Sequence, residues 1–204
     1  MNQSIKWIIG VLILASVIVG AAILYNQLGS QYEGDNLITV APQETIDDTS
    51  TSASSDPADT GSDTNDYGAP DFTVTDVNGN KVKLSDMKGK PVVINFWATW
   101  CYYCKQEMPD FNQVYQEYGD DVVFMMVNMT DGYQETVDMA KAYIAEKGFV
   151  FPVYFDTDLE ASIAYAVTGL PTTYFVDANG TLVTYASGAI SAETLKKGIS
   201  MITD

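Results

Sequence analysis

Nothing before Gly68 in this chain can build an ordinary hydrophobic core. Residues 7–25 read WIIGVLILASVIVGAAILY, a run without a charge, and residues 26–67 follow with nine acidic side chains and no basic one. An all-apolar helix rising about 1.5 Å per residue nearly spans the ~30 Å hydrocarbon layer of a bilayer, so residues 1–25 are expected to form a membrane anchor or an uncleaved signal. The acidic, Ser/Thr-rich tract has too little apolar surface to offset its chain entropy, and a disordered linker with a reach of roughly 35 Å is expected there. Folding is thereby confined to residues 68–204, a common size for one domain.

The flanking charges set an orientation. Lys6 and the amino terminus lie on one side of the apolar run, and the next basic residue is Lys81. The positive flank is expected to stay in the cytoplasm, which puts the folded part outside the cytoplasm on a single-pass anchor in the cell membrane. Small residues at Val19, Ala21 and Ala22 offer a cleavage site, but the run exceeds the ~7 to 15 residues usual for a removable signal. Retention is therefore favoured. All ten basic residues are lysines, against 27 acidic residues, and the chain has neither histidine nor arginine. Histidine acid–base chemistry, histidine metal ligands and bidentate arginine clamps are excluded, and nucleic acid is not an expected partner.

Within residues 68–204 the pattern alternates between strand and helix. DFTVTDVNGNKVKLSD reads as a hairpin turning at Asn78-Gly79. PVVINFWA (91–98) and VVFMMVNM (122–129) are continuous apolar runs suited to central strands buried on both faces. Between them, Met108, Phe111, Val114, Tyr115 and Tyr118 fall at helical spacing, with Gly119 as a C-cap and Pro109 as an expected kink. A second helix is expected over 135–148, a short strand around 152–156 and a short helix around 159–167. Residues 170–188 then read as two strands about Asn179-Gly180. Ser191 caps a last helix with Glu193 in its first turn and Lys196 and Lys197 further along. This order indicates a mixed α/β sheet with helices on both faces.

Both cysteines of the chain lie in WATWCYYCKQEMP, residues 97–109. A disulfide closing so short a loop removes little entropy from the unfolded chain, so Cys101 and Cys104 make a poor staple. Zinc needs four ligands, and no second thiol pair or histidine is present. A redox couple explains more. At a helix N-terminus Cys101 would feel the positive end of the dipole, which favours the nucleophilic thiolate, and Cys104 one turn on would be the resolving thiol. No cofactor is expected beyond this redox-active disulfide.

The FWATWCYYCKQEMP segment after an apolar strand resembles the active-site segment of thioredoxins. APDFTVTDVNGNKVKLSDMKGKPVVINFWATWC resembles the membrane-anchored TlpA/ResA-like thiol-disulfide oxidoreductases, and GLPTTYFVD matches that family's cis-proline segment. The resemblance covers roughly residues 68–204. It implies a thioredoxin-like fold with an N-terminal β-hairpin and a central insertion at about 130–150. It also implies that Cys101 is the exposed nucleophile, Cys104 the resolving thiol and Pro171 a cis-proline presenting the backbone of Leu170 to substrate. Many thioredoxins carry a buried aspartate where this chain has Asn95, which cannot act as a base. Glu107, three residues past Cys104 and so on the same helix face, matches an active-site glutamate of ResA-like members and becomes the candidate proton carrier. Trp100, Tyr102 and Tyr103 are candidate substrate contacts. Trp97, Met125, Met126 and Met129 are read as core.

The expected function is that of an extracytoplasmic disulfide reductase acting on oxidised envelope proteins, with apocytochrome c among the substrate types the resemblance implies. The resemblance also implies a transmembrane thiol carrier of the CcdA kind as electron donor. The alternatives are a peroxiredoxin-type peroxidase and a non-enzymatic thioredoxin-fold chaperone or binding module. The peroxidase reading lacks its arginine and has Ala98 where a threonine is expected.

Overall fold

The computed structural model describes residues 37–39 and 68–203. The apolar run at 7–25 and most of the acidic tract, with the expectations attached to them, lie outside the described residues. Among the described residues no helix is long and apolar enough to cross a membrane.

The described strands are β1 (Leu37–Thr39), β2 (Thr73–Asp76), β3 (Lys81–Lys83), β4 (Val92–Trp97), β5 (Val123–Asn128), β6 (Val153–Phe155), β7 (Thr172–Val176) and β8 (Leu182–Ser187). They form one sheet in the order β1-β8-β7-β4-β5-β6-β2-β3. The helices are α1 (Tyr102–Tyr118), α2 (Val137–Lys147), α3 (Glu160–Ala164) and α4 (Ala192–Thr203), with a 3-10 turn at Leu84–Met87. β4, β5 and β6 run parallel, joined by crossovers that carry α1 and α2. The other pairings are antiparallel. This is the thioredoxin-like mixed sheet, with the β2–β3 hairpin at one edge.

The period-2 geometry of β4 divides the core. Val93 and Trp97 join Met108, Phe111 and Val114 of α1 and Leu195 and Ile199 of α4 on one face. Val92, Ile94 and Phe96 point the other way, onto Phe72, Leu84, Met125, Tyr165 and Tyr174. Burial on both faces is why the strand reads as an unbroken apolar run. Met126 is buried with the first cluster, while Met129 packs half-buried against the second. Each such side chain, when fully buried, contributes about 1.5–3 kcal/mol.

Both predicted turns are made by the same device. Asp76 Oδ1 accepts from the amides of Asn78 and Asn80, each at 2.8 Å, and Gly79 supplies a φ of 89°. Asp177 Oδ1 accepts from Asn179 and Thr181 at 2.9 and 2.8 Å, and Gly180 has a φ of 87°. Side-chain acceptors and positive-φ glycines are what these turns require.

One assignment is corrected. Leu37–Thr39, assigned to the linker, forms an edge strand on β8, with Thr184 Oγ1 donating to the Ile38 carbonyl at 3.1 Å. The triplet Leu-Ile-Thr suits a half-covered strand, and its sequence neighbours hid it. Gly119 is the C-cap of α1, as expected, in right-handed geometry with φ −65°. Its lack of a Cβ serves close packing, because a Cβ there would lie 2.7 Å from the Tyr115 ring. Lys196, midway along α4, reaches sideways to Glu117 of α1 at 2.6 Å, where the two helices share one face of the sheet. The second and third helices are also shorter than expected, beginning after Thr136 and Leu159.

Candidate active site

β4 delivers the chain to the site. After Trp97 a short loop, tied by the Cys101 amide to the Ala98 carbonyl at 3.2 Å, leads into α1. Cys101 is the N-cap: its backbone is extended, and its sulfur accepts from the Cys104 amide at 3.1 Å. The sulfur thus occupies the place where a helix presents unpaired N–H groups and the positive end of its dipole. Cys101 and Cys104 are joined in a disulfide of 2.07 Å. Cys101 is 5% exposed and Cys104 is fully buried, so an incoming sulfur reaches the first before the second.

Around the pair the surface is aromatic. Trp100 is 49% exposed, Tyr102 64% and Tyr103 63%, and the two tyrosine rings meet edge to face at 5.4 Å. Exposed aromatic clusters of this kind are unusual unless something docks on them. The Leu170–Pro171 peptide is cis. The pairing of Phe96 with Thr172 brings this bond to the same end of the sheet as the β4 exit. Leu170 is half-buried, Pro171 is buried, and the Pro171 carbonyl accepts from the Gly188 amide at 2.9 Å.

Glu107 is the charged residue the helix turns inward. It lies one turn past Cys104 on the same face and is 2% exposed. Its Oε1 accepts from Asn95 Nδ2 at 2.8 Å, and its Oε2 from the Ile190 amide at 3.0 Å. Burial pushes its pKa up to about 8, against the opposing pull of the Ile190 and Asn95 hydrogen bonds, with Asp110 adding to the rise. Desolvation penalises the charged form, so near neutral pH this carboxyl holds its proton more than half of the time. Asn95 also donates to Thr173 Oγ1 at 3.0 Å, while its own Oδ1 is buried with no partner. Turned over, the same amide would offer Oδ1 to a protonated Glu107, so one residue can serve both charge states of the acid.

Five of the predicted residues, Trp100, Cys101, Tyr102, Tyr103 and Cys104, are contiguous at the start of α1, and Glu107 lies beneath them. Leu170 and Pro171 reach the same end of the sheet from β7. Sequence reasoning missed a second buried carboxylate, Glu135, which it placed as the first residue of a helix. Glu135 instead precedes the α2 cap. It accepts from the Thr99 amide at 3.1 Å, from Thr99 Oγ1 at 2.6 Å and from Asn128 Nδ2 at 2.8 Å. No local pattern signals it, because Thr99 is 36 positions away in the chain.

Residues 66–185 match the AhpC/TSA family. The thiol-disulfide oxidoreductase ResA of Bacillus thuringiensis (strain Al Hakam) is 37% identical over 135 residues, which cover 66% of this chain and 76% of that protein. Among solved structures, a putative thiol:disulfide interchange protein DsbE from Chlorobium tepidum is 31% identical. It superposes with a TM-score of 0.58 over 66% of this chain and 94% of the other. StoA from Bacillus subtilis is 25% identical, with a TM-score of 0.57 over 65% of this chain and 98% of that one.

Proposed function

The chain belongs to the AhpC/TSA family as a ResA-like thiol-disulfide oxidoreductase, and from that premise we propose that it works as an extracytoplasmic reductant of disulfides in envelope proteins. The observation that carries this reading is the asymmetry of the couple: a rim cysteine at a helix N-terminus, a fully buried partner, and a protonated carboxyl one turn below it. In the reduced protein the Cys101 thiolate attacks a substrate disulfide, forming a mixed disulfide and releasing one substrate thiolate, which takes a proton. Cys104 then attacks Cys101 Sγ and gives its proton to the Glu107 carboxylate. The second substrate sulfur leaves as a thiolate, and two electrons have passed from the dithiol to the substrate.

Resetting runs the steps backwards. A donor dithiol attacks Cys101, Cys104 leaves, and protonated Glu107 returns the proton to it. The oxidised structure supports this half-reaction most directly, since Glu107 there favours the protonated form needed by a leaving thiolate. Trp100, Tyr102 and Tyr103 form the docking surface, and the backbone at Leu170 and Pro171 lines its edge in strand-like contact. We assign residues 7–25 as the membrane anchor and a transmembrane thiol carrier of the CcdA kind as electron donor. Apocytochrome c thiols are among the substrates this reading allows. The chemistry needs no cofactor besides the cysteine pair.

Trapping with Cys104→Ser in native membranes tests the proposal. Envelope proteins held on Cys101 through a reducible bond, together with a midpoint potential near −270 mV, would support it. A midpoint near −120 mV would reverse the direction. Rapid peroxide consumption would favour the peroxidase, and activity surviving loss of both cysteines would favour a non-enzymatic binding role.

A further inference from the structure

Glu135 is a fully buried carboxylate that the exchange chemistry above does not use. The loop that delivers it is built for the purpose. Asp131 Oδ1 accepts from the amides of Tyr133, Gln134 and Glu135 at 2.8, 2.7 and 2.9 Å. Gly132, with a φ of 74°, donates its amide to the Glu135 carbonyl at 2.9 Å. On the far side Thr130 Oγ1 donates to Asn128 Oδ1 at 2.7 Å, which turns the Asn128 Nδ2 toward Glu135. Thr99, which meets the carboxylate through both its amide and its hydroxyl, stands two residues before Cys101.

These donors are all neutral. A carboxylate can accept from all of them at once, and no cation among them offsets its charge. With consecutive Cα atoms about 3.8 Å apart, the carboxylate lies on the order of 10 Å from the Cys101 sulfur, inside the protein. The other charged groups of this region are the half-buried Lys105 and Asp110 on α1, Glu107 beneath the cysteines, Asp131 in the Glu135 loop and the buried Asp156, whose amide donates to the Asn128 carbonyl at 2.9 Å.

We infer that Glu135 is a positioning residue for the exchange reaction: it clamps the Thr99–Cys101 loop and holds negative charge near Cys101, biasing the couple toward reductant. An anion near a thiol disfavours its thiolate. A reduced form that is less stabilised gives a lower potential, the converse of what makes a strong oxidant. The inference rests on Cys101 being the nucleophile, and it extends that reading by naming what sets the direction of electron flow.

The test uses the full chain in detergent, with Glu135→Gln, Glu135→Asp and Thr99→Val. Cys101 alkylation against pH, midpoint potential in dithiol buffers and mixed-disulfide rate are measured on each. Glu135→Gln keeps the shape and removes the charge. It should lower the Cys101 pKa by about one unit and raise the midpoint by about 30 mV, the equivalent of a tenfold shift for a two-electron couple. Glu135→Asp and Thr99→Val keep the charge but slacken the hold on the loop. Both should slow mixed-disulfide formation at least threefold with the thiol pKa unchanged. A Glu135→Gln protein that loses thermal stability but keeps its thiol pKa and potential would overturn the electrostatic part. Should that variant not fold, unchanged exchange rates in the other two would overturn the positioning part. If the unmodified chain fails to form mixed disulfides through Cys101, it is the assignment of the nucleophile that has failed.

Discussion

Glu107 makes stability depend on pH in a direction opposite to that of most carboxylates. Its pKa rises from 4.5 to about 8 on folding, chiefly because the side chain is taken out of water. At ~1.36 kcal/mol per unit this rise corresponds to roughly 5 kcal/mol. The unfolded chain releases this proton near pH 4.5, while the native protein holds it to about 8, so between those values the native state binds more protons. Stability is therefore greatest below pH 4.5 as far as this group is concerned, falls as pH rises through the window, and levels off above 8. Asp76, Glu117, Asp131 and Glu146 have pKa values lowered by hydrogen bonds. They act in the opposite sense, but only at lower pH, where they gain protons. The perturbation is Glu107→Gln, which cannot ionise and whose amide can pair with a turned Asn95. Guanidinium unfolding of the oxidised protein, followed by tryptophan fluorescence at pH 5, 7 and 9, should show the unmodified protein losing several kcal/mol across the series. Glu107→Gln should lose less than about 1 kcal/mol, after an initial cost of about 1–2 kcal/mol at pH 5 from its imperfect pairing. Parallel pH profiles for the two proteins would refute the reasoning.

Replacing Tyr102 and Tyr103 together by Ala should raise KM for a protein disulfide roughly tenfold, yet leave reduction of a small aromatic disulfide within about twofold, because only the larger substrate covers the aromatic surface. Gly198→Ala should destabilise by about 1–3 kcal/mol in chemical denaturation, since a Cβ there would come within 2.3 Å of the Phe175 ring. Ser191→Ala and Thr136→Ala each remove a cap, whose oxygens accept from Thr194 and Met139 at 3.3 and 3.2 Å. Each should cost about 1 kcal/mol, and the two costs should add, because the helices they cap do not share the lost bonds.

How much of this was legible beforehand depended on range along the chain. The unbroken apolar run of β4, the Asn-Gly turns and the placing of Cys101 at a helix start are each written within a few residues, and periodicity reads such patterns well. Glu107 was legible as a face, three residues past Cys104, but not as a buried acid. Its burial depends on Ile190, 83 positions away, and on Asn95, 12 positions away. The edge strand Leu37–Thr39 was hidden for the same reason, since its partner in β8 lies 146 positions on.

Local pattern therefore determined the alternation of strand and helix, the two hairpins and the residues able to exchange disulfides. Tertiary structure decided what those residues experience. The sheet order brings β7 beside β4 and the loop after β5 against the loop after β4, so one carboxylate loses its water under Cys104 and another is gathered behind Thr99. Desolvation and the meeting of distant donors are properties of packed volume rather than of neighbouring residues. That is why the cysteine pair could be read from WATWCYYCKQEMP, while the buried carboxylates packed around it became visible only once the chain was folded.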